Sequence, residues 1–466
     1  MYFNDFNNNK KLGSYIIYQF FIQCIRIEGC YKLVNFFRLL DSERHIAFCP
    51  MNFVADTYIG CPHACWYCYA PSFATPGKYN ISFQQFRNFK RRFKNDKDFE
   101  KIEDAISKGK IKGTCNKNQE EFIAKAIENK HPLRIGSVSE PFGLPLEKEY
   151  GDTYKILEIL IENNYPFVVC TKSPLIATPR YVNLLKSTKK VAVQISLISL
   201  NENLLKFIES RPDGNTPSAK SRLEALKILS EEGIFTICRI QPLIPQVTDD
   251  GMRELIFSLA KIGVKHIIIE FLWLPIMHAK DMCYKLKQAL DEYCKNGGKI
   301  GDELRRYDNN LYYYYRSFND HEVISGRIFF SKRRINQSMK KFLEMISEAN
   351  REYNSDMTFG SGNEETTYLN STENCCGVDR LPDFSGYQKC TIQKMLIIAK
   401  QNREVYFQDI ANYYNSYMDK FKQIWKKRVR GNGPYFIEDR VFKLRHKPTN
   451  DQYKVKYVYD ENAIPN

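Results

Sequence analysis

The chain has 466 residues, 43% hydrophobic and 26% charged, which excludes a disordered chain and a small disulfide-stapled scaffold and leaves two or three globular domains, or one barrel with additions. Lys and Arg total 69 against 54 Asp and Glu, a net charge of +15; this suits a polyanionic partner such as DNA or RNA, and equally a solvated basic surface. The 14 cysteines are mostly set singly in apolar stretches, such as Cys170 after Phe167-Val168-Val169, and read as reduced, buried thiols of a cytoplasmic protein rather than as a disulfide framework.

In chain order, residues 12–25 are an uncharged run of 14. They are too few to cross a bilayer, and no small-residue cleavage site follows. A buried or partner-facing helix is expected, in an N-terminal extension covering residues 1–47, with no membrane span. Next comes Gly60-Cys61-Pro62-His63-Ala64-Cys65-Trp66-Tyr67-Cys68-Tyr69. Residues 81–130 are dense in charge and predict helix with a lysine-rich loop.

From residue 130 a strand–helix alternation sets in. Strands are expected at 133–139, 166–173, 191–200, 235–245 and 265–275. Helices are expected between them at 148–164, from 201, at 218–233 and from 252, the last two closed by Gly233 and Gly263. Short apolar strands alternating with helices indicate parallel βαβ units buried on both faces. The fold class expected is α/β, a partial (β/α)6 TIM-like barrel over residues 48–275. Chemistry in such a barrel lies at the C-terminal ends of the strands, where the polar residues are Ser139, Glu140, Lys172, Ser173, Ser196, Arg239 and Gln241.

Residues 276–390 read as a helical, Cys-containing extension that completes the barrel. It includes an aromatic run at 311–318 placed in an irregular segment, a late strand near 357–360, and Asn374-Cys375-Cys376-Gly377. Residues 391–466 read as a basic α+β region, helices followed by a hairpin in the manner of a winged helix. Its run 420–435 interleaves basic and aromatic residues, which fits phosphate and base contacts or a solvated helix face.

Cys61, Cys65 and Cys68 admit three readings. Their spacing fits one stripe of a helix, although Gly60, Pro62 and the aromatic run favour a loop. Zinc takes four Cys or His ligands, which His63 or the distant Cys375 and Cys376 would have to complete. An iron–sulfur cluster held by three thiolates keeps one iron open to an outside ligand.

The pattern Cys61-x3-Cys65-x2-Cys68, with Tyr67 before the last cysteine, resembles the signature of the radical S-adenosylmethionine (SAM) superfamily. Further stretches are similar to its spore photoproduct lyase-like branch: residues 52–70, 136–150, Cys170-Thr171-Lys172-Ser173, 193–200, 209–226 and 239–249. Glu140 stands where that branch has Asp, and Leu144 where it has Gln. The resemblance implies a [4Fe–4S] cluster on Cys61, Cys65 and Cys68, with SAM on the open iron and a 5′-deoxyadenosyl radical as the hydrogen-abstracting species. It implies Tyr67 beside the adenine, Ser139 and Glu140 near the methionine amino group, Lys172 on the carboxylate and Ser196 on the ribose. It also implies a reductant such as flavodoxin or ferredoxin. Cys375 or Cys376 would donate a hydrogen atom or, with Cys390, hold an auxiliary metal. A nucleic acid is the expected substrate; a peptide or small molecule, or a non-catalytic iron–sulfur protein that binds nucleic acid, are the alternatives.

Overall fold

In the computed structural model, the residues described are 36–39, 49, 51–63, 65–71, 88–109, 117–209, 216–324, 326–384, 391–406, 408–409, 443–447 and 456–463. The apolar run at 12–25, the basic run at 420–435 and Cys390 lie outside them.

The centre is an eight-stranded sheet. Its strands, in spatial as in chain order, are β1 (Phe37–Leu39), β2 (Phe53–Ala55), β3 (Leu133–Ile135), β4 (Phe167–Thr171), β5 (Val191–Ser196), β6 (Phe235–Leu243), β7 (His266–Phe271) and β8 (Thr358–Ser361). From β2 to β8 every neighbouring pair is parallel, and β1 joins antiparallel at the edge. The helices α1 (Asp152–Glu162), α2 (Pro179–Lys186), α3 (Glu202–Ile208), α4 (Ala219–Glu231), α5 (Met252–Lys261) and α6 (Lys332–Tyr353) lie in the connections that follow β3 to β7. This is a mixed α/β partial barrel.

The strands form where the sequence is apolar and β-branched over a short run. Phe167-Val168-Val169 and Ile267-Ile268-Ile269 are buried throughout, as strands covered on both faces must be. Asn201 caps α3, accepting from Leu204 N at 3.0 Å, and Ser218 caps α4, accepting from Ser221 N at 3.1 Å. The concave face is layered. At its base Val168, Ala192, Ile237 and Ile268 pack with Met51, Cys376, Val378 and Phe384. Two residues on along each strand, polar side chains take over: Cys170, Gln194, Arg239 and Glu270.

Three expectations are corrected. The strand at 133–139 stops at Ile135, because Gly136 turns with φ +82° and a Cβ there would sit 2.3 Å from Cys170 O. The helix at 148–164 is two helices, Leu146–Tyr150 and α1, parted by Gly151 at φ +64°. The aromatic run is not irregular: Leu311–Arg316 is a helix capped by Asn310, with Tyr315 packed on Phe330 at 4.9 Å between ring centres. In the C-terminal region, strands Leu444–Lys447 and Lys456–Tyr459 pair as an antiparallel hairpin, and Glu404–Tyr406 adds a third strand after helix Thr391–Asn402. The residues between 409 and 443, on which the helical part of a winged helix would rest, lie outside those described.

Candidate active site

The cysteine segment leaves the short strand Tyr58–Ile59 through Gly60, whose φ of +80° suits glycine. It is a loop with a turn at Trp66 and Tyr67, where Cys68 N donates to Cys65 O at 3.2 Å; the helical stripe is therefore ruled out. Trp66 N donates to Ile208 O at 2.9 Å, which pins the loop to the end of α3. Cys65 is buried, Cys61 and Cys68 are half-buried, and all three are free thiols. Burial first, then Glu140, Cys68 and Cys65, push the Cys61 thiol well up, so the three sulfurs share one neighbourhood. Among the described residues no three Cys, His, Asp or Glu groups converge on a point as ligands of a single ion would.

Behind the loop lies a buried charge network. Lys172, one residue past β4, donates to Glu209 Oε1 at 2.5 Å and to the Tyr67 hydroxyl at 2.8 Å. Tyr67 also donates to Glu209 Oε1. The other Glu209 oxygen accepts from Arg222 Nη2 at 2.5 Å, and Arg222 Nη1 reaches Ser196 O at 2.9 Å. Burial alone raises the Glu209 pKa, but the Arg222 and Lys172 charges and their hydrogen bonds hold it far below the usual carboxylate range. Lys172 and Arg222 likewise oppose the upward push that burial gives Cys65.

A second carboxylate orders the turn after β3. Glu140 accepts from Phe142 N at 3.1 Å, Lys172 N at 2.9 Å and the Thr171 hydroxyl, and pairs with His63 Nε2 at 3.0 Å. Burial pushes its pKa up, but those partners bring it below the ordinary value. Ser139 is turned toward Asp56, at the end of β2: its N and Oγ each donate to Asp56 Oδ1 at 3.1 Å. Asp56 also pairs with Arg38.

Tyr67, Lys172 and Ser196 are thus gathered around Glu209 and Arg222, and Glu140 is tied to His63 in the cysteine loop. Cys375 and Cys376 lie apart from this rim, toward the floor of the barrel, with Cys376 in the base layer. Arg134 Nη2 donates to Cys376 Sγ at 3.3 Å, and the two sulfurs are 3.9 Å apart. Glu209, Arg222 and Asp56 were not among the residues singled out from sequence. The first two sit in the stretch 209–226 that resembles a branch motif, which was the available signal.

A parallel barrel with a thiol loop and a buried charge network at its C-terminal rim is the frame of a barrel enzyme. Residues 57–259 match the family model described as the Radical SAM superfamily. That segment, a little under half of the chain, is what the chain shares with the superfamily. An uncharacterized protein of Methanocaldococcus jannaschii is 28% identical over 201 residues, 42% of this chain and 62% of that protein. The radical SAM Nalpha-GlyT isomerase of Pseudomonas phage M6 is 28% identical over 150 residues, 31% of this chain and 30% of that protein. The chain therefore spans less than two thirds of the length of either relative. Among solved structures, a spore photoproduct lyase with bound AdoMet and dinucleoside spore photoproduct aligns over 68% of this chain and 79% of its own, at 12% identity and a TM-score of 0.42. No helix among the described residues is long and apolar enough to cross a membrane.

Proposed function

We propose that Cys61, Cys65 and Cys68 hold a [4Fe–4S] cluster whose fourth iron takes SAM, and that the enzyme abstracts hydrogen from a nucleic-acid substrate. The observation that carries the first half is the grouping of three reduced thiols on one rim loop, with the loop's Tyr67 tied into the buried network of Lys172, Glu209 and Arg222. Three thiolates suffice for a cluster with one open iron, whereas a structural zinc takes four Cys or His ligands. When bound, the cluster and SAM supply a 5′-deoxyadenosyl radical for hydrogen abstraction.

The chain's own residues position and shield. Lys172 exchanges part of its pairing with Glu209 for the SAM carboxylate, a charge-assisted contact. Tyr67 flanks the adenine, with its hydroxyl fixed by Glu209. Ser196 faces the ribose, its backbone held by Arg222. Ser139 and Glu140 lie on the side of the methionine amino group, and the Glu140 carboxylate orders that turn through His63, Thr171 and Lys172. Of the two floor thiols, Cys375 is the hydrogen donor. It is the more exposed of the two, while Cys376 is buried against Arg134. A flavodoxin- or ferredoxin-like protein is the reductant, and the compartment is the cytoplasm.

The net charge of +15 supports the nucleic-acid substrate. The expected result is 5′-deoxyadenosine formation by the anaerobic, iron-loaded protein with dithionite and SAM. Retention on DNA or RNA should weaken with salt and with charge reversal at Lys426, Lys427 and Arg428. A protein that makes 5′-deoxyadenosine but shows no salt-sensitive retention keeps the chemistry and loses the nucleic acid.

A further inference from the structure

One layer of the barrel interior is left unexplained by the rim. Arg134 on β3 and Arg239 on β6 both point inward, just above the apolar base, flanking Cys170, Gln194 and Cys376. Arg134 Nη2 reaches Cys376 Sγ at 3.3 Å, and Arg239 Nη1 reaches Gln194 Oε1 at 3.2 Å. Among the described residues neither guanidinium has a carboxylate partner, and the buried Nε of Arg134 has no hydrogen-bond partner. Charges are kept in such a place only when something pairs with them, and the arginine fork matches the oxygens of a carboxylate or phosphate.

The pair is also well placed. Tyr69, next after Cys68, donates to Ser137 O at 2.9 Å. Ser137 follows Arg134 by three residues at the end of β3, and Arg239 is in register with Ser196, the last residue of β5, so the two arginines lie beneath the rim.

We propose that Arg134 and Arg239 form an anion site in the barrel interior that grips a carboxylate or phosphate of the substrate, so that the substrate enters the barrel from the rim by an anionic end. This rests on the rim being the reaction centre, as proposed above.

The test is thermal unfolding of the full-length, anaerobically iron-loaded protein with inorganic phosphate, with acetate, and with chloride at matched ionic strength. A saturable rise in Tm is expected with one of the first two; phosphate alone assigns a phosphate group, acetate alone a carboxylate. Arg239→Gln should weaken the apparent affinity by about ten-fold or more, whereas Arg253→Gln, at an exposed ion pair with Glu348, should leave it unchanged. As a second readout, the effective anion should slow alkylation by iodoacetamide of Cys376, the thiol that Arg134 contacts, in the unaltered protein, read by mass spectrometry. No stabilisation beyond chloride together with no protection, or a full response in Arg239→Gln, overturns the site. A protein that cleaves SAM without binding either anion loses this inference alone; one that binds the anion at Arg239 without cleaving SAM loses the proposed function alone.

Discussion

Replacing Cys65 with alanine is expected to leave the protein without cluster iron after anaerobic reconstitution, and without 5′-deoxyadenosine formation. Cys65 is the buried member of the three. Burial pushes its thiol up, and the Lys172 and Arg222 charges oppose that push. Two cysteines cannot replace three as anchors of a cluster. Cys294→Ala is the control: this half-buried thiol sits near the end of helix Ala279–Lys295, outside the loop, and iron content should not change. Iron is measured by colorimetric assay on matched protein concentrations. Unaltered iron in Cys65→Ala would refute the ligand assignment.

The second large effect is expected at Glu209. Glu209→Gln keeps the shape but removes the charge that neutralises both Arg222, which is fully buried, and Lys172, which is mostly buried. Breaking one side of a buried pair typically costs about 3–5 kcal/mol, so the urea midpoint should fall well below that of the unaltered protein. The sign of the pH dependence follows from the depressed pKa of Glu209. The stabilisation is fully present above the ordinary carboxylate pKa, and is lost as pH falls through the folded value far beneath it. The difference between the two proteins should thus be largest near neutrality and shrink with acidification. A midpoint unmoved by the substitution would show that Glu209 is not the counter-charge described. Lys172 should also lose its fixed position, so SAM binding should weaken in the same variant.

Much of the barrel was legible because its strands are short apolar runs. Phe167–Thr171, Val191–Ser196 and His266–Phe271 announce burial on both faces, and the intervening helices carry clear apolar periodicity and caps. The thiol loop was legible from composition: three cysteines among glycine, proline and aromatic residues make a poor helix. What the sequence hid depends on partners far along the chain. Glu147 interrupts a continuous helical pattern by accepting from Thr153 N at 2.9 Å and Tyr154 N at 3.0 Å across the Gly151 break. Glu209 acquires its role only when Lys172 and Arg222 fold against it. Arg134 reads as one charge in a short strand until the segment 374–380 places Cys376 against it.

The central claim is a three-cysteine cluster with one iron available to SAM. Electron paramagnetic resonance of the dithionite-reduced protein, with iron and zinc measured on the same sample, tests it most directly. Bound iron is expected, with a reduced-cluster signal that changes shape when SAM is added. Zinc in place of iron, or a cluster signal indifferent to SAM, would contradict it.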